Sequence, residues 1–271
     1  MICTTINTNI VNIHIKIVLL SFFIVKLFLP LKRSSELVIA HLLYKYMSIE
    51  IKISLNEGLY LKEPQDSKLG RKIIQNSIIL IDEYGFESFT FKKLAQKINS
   101  TEASIYRYFE NKHLLLIFLV NWYWEWVNYL ITINTMNIND PKTKLKRIIH
   151  SFVFASQENP SVAYVNESKL HNVFITEGGK AYHTIEVDDE NSKGFFSSYK
   201  RLASSVSQVI SEINSEFKYP FSLATNLFEM SNNHIYFAKH LPRLTDITVV
   251  KGDLDEVEKM LNYFADKLLS E

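Results

Sequence analysis

The sequence predicts an all-α fold, with an N-terminal three-helix unit of the helix-turn-helix type followed by a helical bundle. The first observation is the scarcity of helix breakers, because 271 residues contain only seven glycines and six prolines. The second observation is that Leu, Ile, Lys and Glu are abundant. The third observation is that apolar residues recur three and four positions apart in several segments, which is the periodicity of an amphipathic helix.

Composition narrows the functional class. Hydrophobic residues make up 47% and charged residues 22% of the chain, and the net charge is +1, all ordinary values for a globular protein. The single cysteine, Cys3, excludes an internal disulfide and a cysteine-based zinc site. No phosphate-binding glycine loop and no GxSxG nucleophile motif occurs. We therefore expect a cytoplasmic protein that is not an enzyme, with no cofactor and no metal ion.

The segment Thr90 to Lys112, TFKKLAQKINSTEASIYRYFENK, has the pattern of two helices joined by a short turn. Thr90 can cap the first helix with its hydroxyl group, and Thr101 can cap the second. Asn99 lies between them and readily adopts the left-handed conformation that ends a helix. The apolar residues of the first helix share one face, as a packed helix requires: Phe91, Leu94, Ala95 and Ile98.

The second helix of this segment is predicted to present a polar face to DNA. Ile105 and Phe109 should pack on the first helix, so that Arg107 points outward and can pair with a guanine edge. The hydroxyl groups of Tyr106 and Tyr108 can bind phosphates. The segment carries five Lys or Arg residues against two Glu, and the alternative is an ordinary solvated face. The residues expected to contact DNA are Thr90, Lys92, Thr101, Glu102, Ala103, Ser104, Tyr106, Arg107, Tyr108 and Lys112.

The run from Ile73 to Leu116 resembles the DNA-binding domain of the tetracycline-repressor (TetR) family. The shared pattern is a first helix ending in a glycine, a threonine, a leucine followed by alanine, a capped turn and an aromatic tail. It is carried by Gly85, Thr90, Leu94, Ala95, Thr101, Tyr106, Phe109 and Lys112. Asn99 and Ser100 stand where the family usually has glycine and valine. The resemblance implies that Thr90, Tyr106 and Lys112 contact phosphates and that residues 102–107 read bases.

The chain divides into four predicted segments. Residues 1–46 are an apolar leader with three open interpretations. Translation truly begins at Met47 and the leader is an artefact of a mis-assigned upstream start, or the leader is a weak membrane anchor, or it is an additional packed helix. Residues 47–66 alternate apolar and polar side chains and are predicted to form a hairpin-like arm. Residues 67–112 form the helix-turn-helix domain. Residues 113–271 form a helical ligand-binding and dimerisation domain.

The helix that follows Lys112 is apolar nearly all round, which predicts burial between other helices. Its three tryptophans are core residues, some of which can also line an apolar ligand cavity. Two late helices, from Pro220 and from Leu254, are candidates for a dimer interface. The candidate pocket residues are Trp122, Tyr123, Trp126, Phe152, His171 and Phe174.

These patterns predict a DNA-binding transcriptional regulator that acts as a homodimer on a double-stranded operator. By resemblance, it is a repressor released by a small-molecule effector. Two alternatives remain: a membrane-tethered regulator of the same type, and a helical small-molecule-binding protein or enzyme with no DNA role.

Overall fold

The computed structural model describes residues 51–159, 162, 164–249 and 252–270. Within these residues the chain forms eleven α-helices and three 3₁₀ helices and contains no strand, which confirms the all-α prediction. The predicted leader, residues 1–46, lies outside the described residues, and so do positions 47–50 of the predicted arm.

Three helices form the N-terminal unit: α1 (Lys68–Ser88), α2 (Phe91–Lys97) and α3 (Glu102–Tyr106). Each begins at a hydroxyl side chain that accepts a hydrogen bond from an amide of the first turn, namely Ser67, Thr90 and Thr101. Between α2 and α3, Asn99 has φ +52°, as its predicted helix-ending role requires. The predicted apolar face of α2 is buried: Phe91, Leu94, Ala95 and Ile98.

Eight helices form the remainder: α4 (Lys112–Thr135), α5 (Pro141–Phe154), α6 (Glu167–Glu177), α7 (Gly179–Tyr182), α8 (Val187–Ser192), α9 (Ser197–Ile213), α10 (Pro220–His240) and α11 (Asp255–Leu269). Helix α6 begins at Glu167, where Asn166 caps it. The acidic segment at residues 183–190 leads into α8, and its Glu190 is buried.

Helix α4 is the centre of the bundle. By length and composition it could cross a membrane, but 72% of its most apolar window is buried inside the protein. It contacts α5, α6, α7 and α9, so nearly every side of it meets another helix. This explains why its sequence is apolar all round, as the sequence analysis predicted.

The predicted hairpin between residues 47 and 66 is wrong for the part that the structure describes. Residues 51–56 form neither strand nor helix, and Glu57–Leu59 and Pro64–Asp66 are 3₁₀ helices. The alternating pattern arises because Ile53 and Leu55 enter the core. The side chain of Gln65 takes the place of a partner strand: it accepts from the Ile53 amide at 3.1 Å and donates to the Ile53 carbonyl at 2.7 Å.

A polar group lies inside the aromatic core around His171 of α6, which is only 1% exposed. Its Nε2 lies 3.1 Å from Oδ1 of Asn232 on α10, and the Tyr123 hydroxyl donates to the same oxygen at 3.5 Å. Burial lowers the pKa of His171 to about 4, so the ring is neutral near neutral pH. Because the Asn232 oxygen is an acceptor, Nε2 carries the proton.

The buried His171 predicts a loss of stability in mild acid. In the unfolded chain the imidazole binds a proton below pH 6.5, whereas the folded protein resists protonation until about pH 4. The neutral ring therefore contributes about 3 kcal/mol to the free energy of unfolding above pH 6.5, and this contribution is lost as the pH falls towards 4. The measurement is chemical denaturation of wild type and His171→Gln across this range. The wild type should lose that much more stability than the variant, and parallel pH profiles would contradict the assignment.

Candidate nucleic-acid interface

Helix α3 presents a short exposed face made of the residues that the sequence singled out. Glu102, Ala103 and Arg107 are exposed, and Ser104 is half-buried. The backbone amide of Arg107 donates to the Ile105 carbonyl at the end of α3, but its guanidinium makes no hydrogen bond or ion pair in the described part of the chain. The opposite side of α3 is fixed by Ile105, which is completely buried. The guanidinium of Arg107 is thus held on a packed helix while its donors remain available to a ligand.

Tyr106 combines a packed ring with an accessible hydroxyl group. Its ring meets that of Phe91 edge-on, with centroids 5.0 Å apart, and the side chain is 48% exposed. This contact fixes the direction of the phenol without using its hydroxyl group. A phosphate oxygen could accept from that hydroxyl, as the sequence predicts.

The start of α3 is stabilised by hydroxyl groups. Thr101 Oγ1 accepts from the Ser104 amide at 3.2 Å and lies 2.9 Å from Ser104 Oγ. Both side chains therefore have partners in the free protein, yet each hydroxyl group keeps hydrogen-bonding capacity toward another molecule. Thr90 at the start of α2 is exposed and similarly accepts from the Lys93 amide at 3.2 Å.

Basic residues of α2 lie beside this face. Lys92 and Lys97 are exposed and make no ion pair within the residues that the structure describes. Lys93 instead donates to the carbonyl oxygen of Ser88 at 2.7 Å and thereby covers the end of α1. Together with Arg107, Lys92 and Lys97 supply the positive charge that attracts a phosphate backbone.

Tyr108 does not fit the phosphate contact that the sequence suggested. Helix α3 ends at Tyr106, so the chain turns back before residue 108 and buries the rings of Tyr108 and Phe109 in the core. The Tyr108 hydroxyl lies 2.8 Å from Ser67 Oγ, which caps α1. Helical spacing continued through Phe109 would leave Tyr108 near the surface, but the helix ends before that position. Tyr108 therefore supports the helix-turn-helix from inside.

Lys112 has a partner within the protein at the place where the sequence suggested a phosphate. Its ammonium donates to the carbonyl oxygens of Phe86 and Glu87 at 3.1 and 3.4 Å and lies 4.6 Å from the Phe86 ring centroid. These carbonyls lie in the last turn of α1, which ends at Ser88 shortly after the interruption at Gly85 (φ +74°), and the Phe86 carbonyl also accepts from the Phe89 amide at 3.2 Å. The helix dipole of α4 disfavours a cation at its N-terminal end, but the dipole of α1 favours one at its C-terminal end, which explains the position of Lys112.

The same interruption is held from the other side by α6. Glu177 Oε1 accepts from the Phe86 amide at 3.0 Å in a buried position, and its Oε2 lies 2.8 Å from Nζ of Lys180. Lys180 also pairs with Glu87 at 3.1 Å. We call Glu177, Lys180, Phe86 and Glu87 the Gly85 latch. This contact could not be predicted from the sequence, since Glu177 lies 91 positions from Phe86 and carries no recognisable spacing.

A second polar contact joins α1 to α6. Lys169 pairs with Asp82 at 2.7 Å, and the Asn172 amide donates to the other oxygen of Asp82 at 3.3 Å. These bonds lie along the same two helices as the Gly85 latch. The helix-turn-helix unit is therefore attached to the bundle through α6 as well as through the covalent link into α4.

The six predicted pocket residues are all buried, but the structure divides them into two groups. Trp122 and Trp126 stack with each other at 6.1 Å, and the Trp126 indole donates to the Ala155 carbonyl at 3.1 Å. The other four gather around Phe228 of α10: Tyr123, Phe152, His171 and Phe174. Both groups are packed core, as the simpler alternative from the sequence proposed, and their role as pocket residues remains a prediction.

Comparison with known proteins assigns the N-terminal unit. Residues 73–117 match the sequence model of the bacterial regulatory proteins of the tetR family. The negative transcriptional regulator IcaR of the biofilm operon icaADBC from Staphylococcus aureus is 28% identical over 115 residues, or 42% of this chain. The matched part spans 60% of the length of IcaR.

Solved structures share the fold over about three quarters of this chain at low sequence identity. The fatty acid degradation regulator FadR from Bacillus halodurans has a TM-score of 0.52 at 18% identity, covering 72% of this chain and 92% of FadR. AibR, in complex with isovaleryl coenzyme A and operator DNA, has a TM-score of 0.50 at 16% identity, covering 73% of this chain and 98% of AibR. The helix-turn-helix geometry and the sequence match lead to one conclusion: residues 73–117 form a domain of the kind found in the bacterial regulatory proteins of the tetR family, in a chain that shares the helical fold of these solved structures.

Proposed function

We propose that this protein is a cytoplasmic repressor that binds a double-stranded operator as a homodimer and is released by a small-molecule effector. The observation that supports DNA recognition most strongly is the exposed face of α3, with the Arg107 guanidinium unpartnered in the described structure and Tyr106 fixed on Phe91. The negative sign of regulation is proposed by analogy with IcaR, which is a negative transcriptional regulator. No enzymatic step is part of this proposal.

The proposed DNA contacts are of two chemical kinds, to base edges and to the phosphate backbone. Ala103, Ser104 and Arg107 face the base edges, where a guanidinium can bind the O6 and N7 atoms of guanine together. Thr90, Lys92 and Tyr106 contact the phosphate backbone and fix the register of α3 in the major groove. Lys112 and Tyr108 act indirectly, because both are held by α1.

Dimerisation is supported by apolar side chains that the single chain leaves exposed on α11. Tyr263 is 59% and Leu268 is 50% exposed, and Phe264 lies one helical turn before Leu268 on the same side. Helix α11 packs on α10, so the two helices can form one half of a four-helix interface with a second copy. One α3 helix offers few basic contacts, so pairing two copies on successive major grooves would supply the affinity that one lacks.

Effector release would act through the contacts between α1 and α6. Glu177 on α6 holds the Phe86 amide, and Lys169 on α6 holds Asp82. A ligand that shifts α6 therefore changes the end of α1 and with it the placement of α3. Such a ligand favours the conformation in which two α3 helices no longer match one operator.

Replacing Arg107 by alanine should weaken operator binding by about tenfold to a hundredfold and relax the preference at one base position, because a bidentate contact to guanine is lost. The operator can be selected from random duplex DNA with the full chain and the affinities measured by fluorescence anisotropy. Arg243→Ala is the matched control, since Arg243 is exposed in the 3₁₀ helix Pro242–Leu244, away from α3. Equal affinities for wild type and Arg107→Ala would refute base recognition by α3.

Replacing Phe264 by glutamate should convert the dimer to a monomer, because a charge would be buried in the apolar centre of the interface. Sedimentation velocity gives the mass directly. Ile185→Glu is the control, since this residue is 96% exposed in the loop before α8 and adds the same charge elsewhere. A Phe264→Glu protein that still sediments with twice the mass of one chain would exclude this surface.

A further inference from the structure

Three aromatic rings pack around that of Trp124, and one of them, Tyr199, contacts the carboxylate of Glu229 on α10. The Trp124 and Tyr199 rings are stacked, with centroids 4.8 Å apart and an angle of 6° between their planes. Tyr182 lies 6.1 Å and Phe174 6.2 Å from Trp124. The Tyr199 hydroxyl donates to Glu229 Oε1 at 2.7 Å. We call these five residues the Glu229 cluster. They come from five helices: α4, α6, α7, α9 and α10.

Glu229 differs from most other shielded acids of the bundle, which have a basic partner. Glu177 pairs with Lys180, and Glu190 lies 2.8 Å from the imidazole of His113. Over the described ranges no Lys, Arg or His forms an ion pair with Glu229, although this residue is half-buried. Burial raises the pKa of Glu229, while the Tyr199 hydroxyl and the nearby His183 act in the opposite direction.

Among the described residues, the Glu229 carboxylate has a hydrogen-bond donor in Tyr199 but no ion-paired cation. The face of an aromatic ring carries a negative potential, so several rings beside a carboxylate repel the same charge and attract the opposite one. A purely structural hydrogen bond from Tyr199 would be served equally well by a neutral glutamine. The buried indole Nε1 of Trp124 also finds no hydrogen-bond partner in the part of the chain that the structure describes, so the cluster offers a donor as well.

The cluster extends from the core to the surface. Trp124 and Phe174 are buried, whereas Tyr182, Tyr199 and Glu229 are half-buried and can be reached from solvent. We propose that the Glu229 cluster binds an organic cation, a ligand with a substituted ammonium group on an apolar body that also carries a hydrogen-bond acceptor. The ammonium group lies against the rings of Tyr182 and Tyr199 beside the Glu229 carboxylate, and the acceptor meets the indole of Trp124.

This site would be the effector site of the proposed repressor, and to that extent the inference rests on the proposed function. Two of its residues adjoin the Gly85 latch along the chain. Tyr182 on α7 follows Lys180 by two positions, and Phe174 on α6 precedes Glu177 by three. A ligand that moves Tyr182 and Phe174 therefore moves the residues that hold the end of α1.

The test compares choline with 3,3-dimethylbutan-1-ol, which has the same shape but a carbon atom in place of the charged nitrogen. Each is titrated into the full chain without DNA, and binding is followed by calorimetry and by tryptophan emission, because Trp124 lies in the cluster. Choline should bind saturably and the alcohol at least about tenfold more weakly, since only the cation interacts with the rings and the carboxylate. Absent choline binding, or equal binding of the two compounds, would overturn the proposal.

Variants locate the binding to this cluster. Glu229→Gln keeps the acceptor for Tyr199 and should weaken choline binding at least about tenfold, without affecting the alcohol. Tyr182→Leu removes a half-buried ring and should also weaken it. Glu212→Gln on α9 removes an exposed carboxylate and is the matched control. If both cluster variants bind choline like wild type, the site is wrong.

The result of the choline titration can be distinguished from the result of the operator-binding measurement that tests the proposed function. Choline binding is measured without DNA, so its absence would leave an intact operator-binding protein with a different effector. Conversely, loss of the DNA-binding role would leave the choline titration unchanged.

Discussion

The break in α1 at Gly85 is the constraint on which the placement of the helix-turn-helix depends. A glycine with φ +74° releases the amide of Phe86 from the helical pattern, and the carbonyl oxygens of residues 86 and 87 lie in the last turn of α1, just before its end at Ser88. Lys112 covers the carbonyls and Glu177 accepts from the amide, and these two side chains belong to α4 and α6 respectively. Because an unpaired buried amide is costly, the end of α1 can keep its geometry only while α6 stays in place. The bundle therefore fixes the direction in which the short helices α2 and α3 leave it.

The parts of the fold that were predicted correctly from the sequence are those determined by neighbouring residues. The caps at Thr90 and Thr101 and the left-handed Asn99 depend on hydrogen bonds and backbone preferences within four positions. The hairpin, in contrast, failed because an alternating pattern is equally satisfied by an extended segment on the core. Its missing partner is the side chain of Gln65, a tertiary contact that alternation does not encode.

The candidate site shows the same division. The exposure of Arg107 and Tyr106 could be predicted from helical spacing, since it follows from the burial of Ile105 on the opposite side. The roles of Tyr108 and Lys112 could not, because they depend on where α1 ends in space. In the bundle, apolar spacing predicted that the tryptophans of α4 are buried, but it could not separate Trp124, which faces Tyr199, from Trp122 and Trp126, which stack together.

The most direct test of the coupling between the two parts of the protein is residue-resolved hydrogen exchange of the Phe86 amide, combined with operator affinity, in wild type and Glu177→Ala. The account predicts that removing the carboxylate accelerates exchange at Phe86 by about tenfold to a hundredfold and weakens operator binding, because a buried amide loses its acceptor. Amides at the centre of α4 should be unaffected. Faster exchange at Phe86 with unchanged operator affinity would contradict the claim that α6 fixes the DNA-binding geometry.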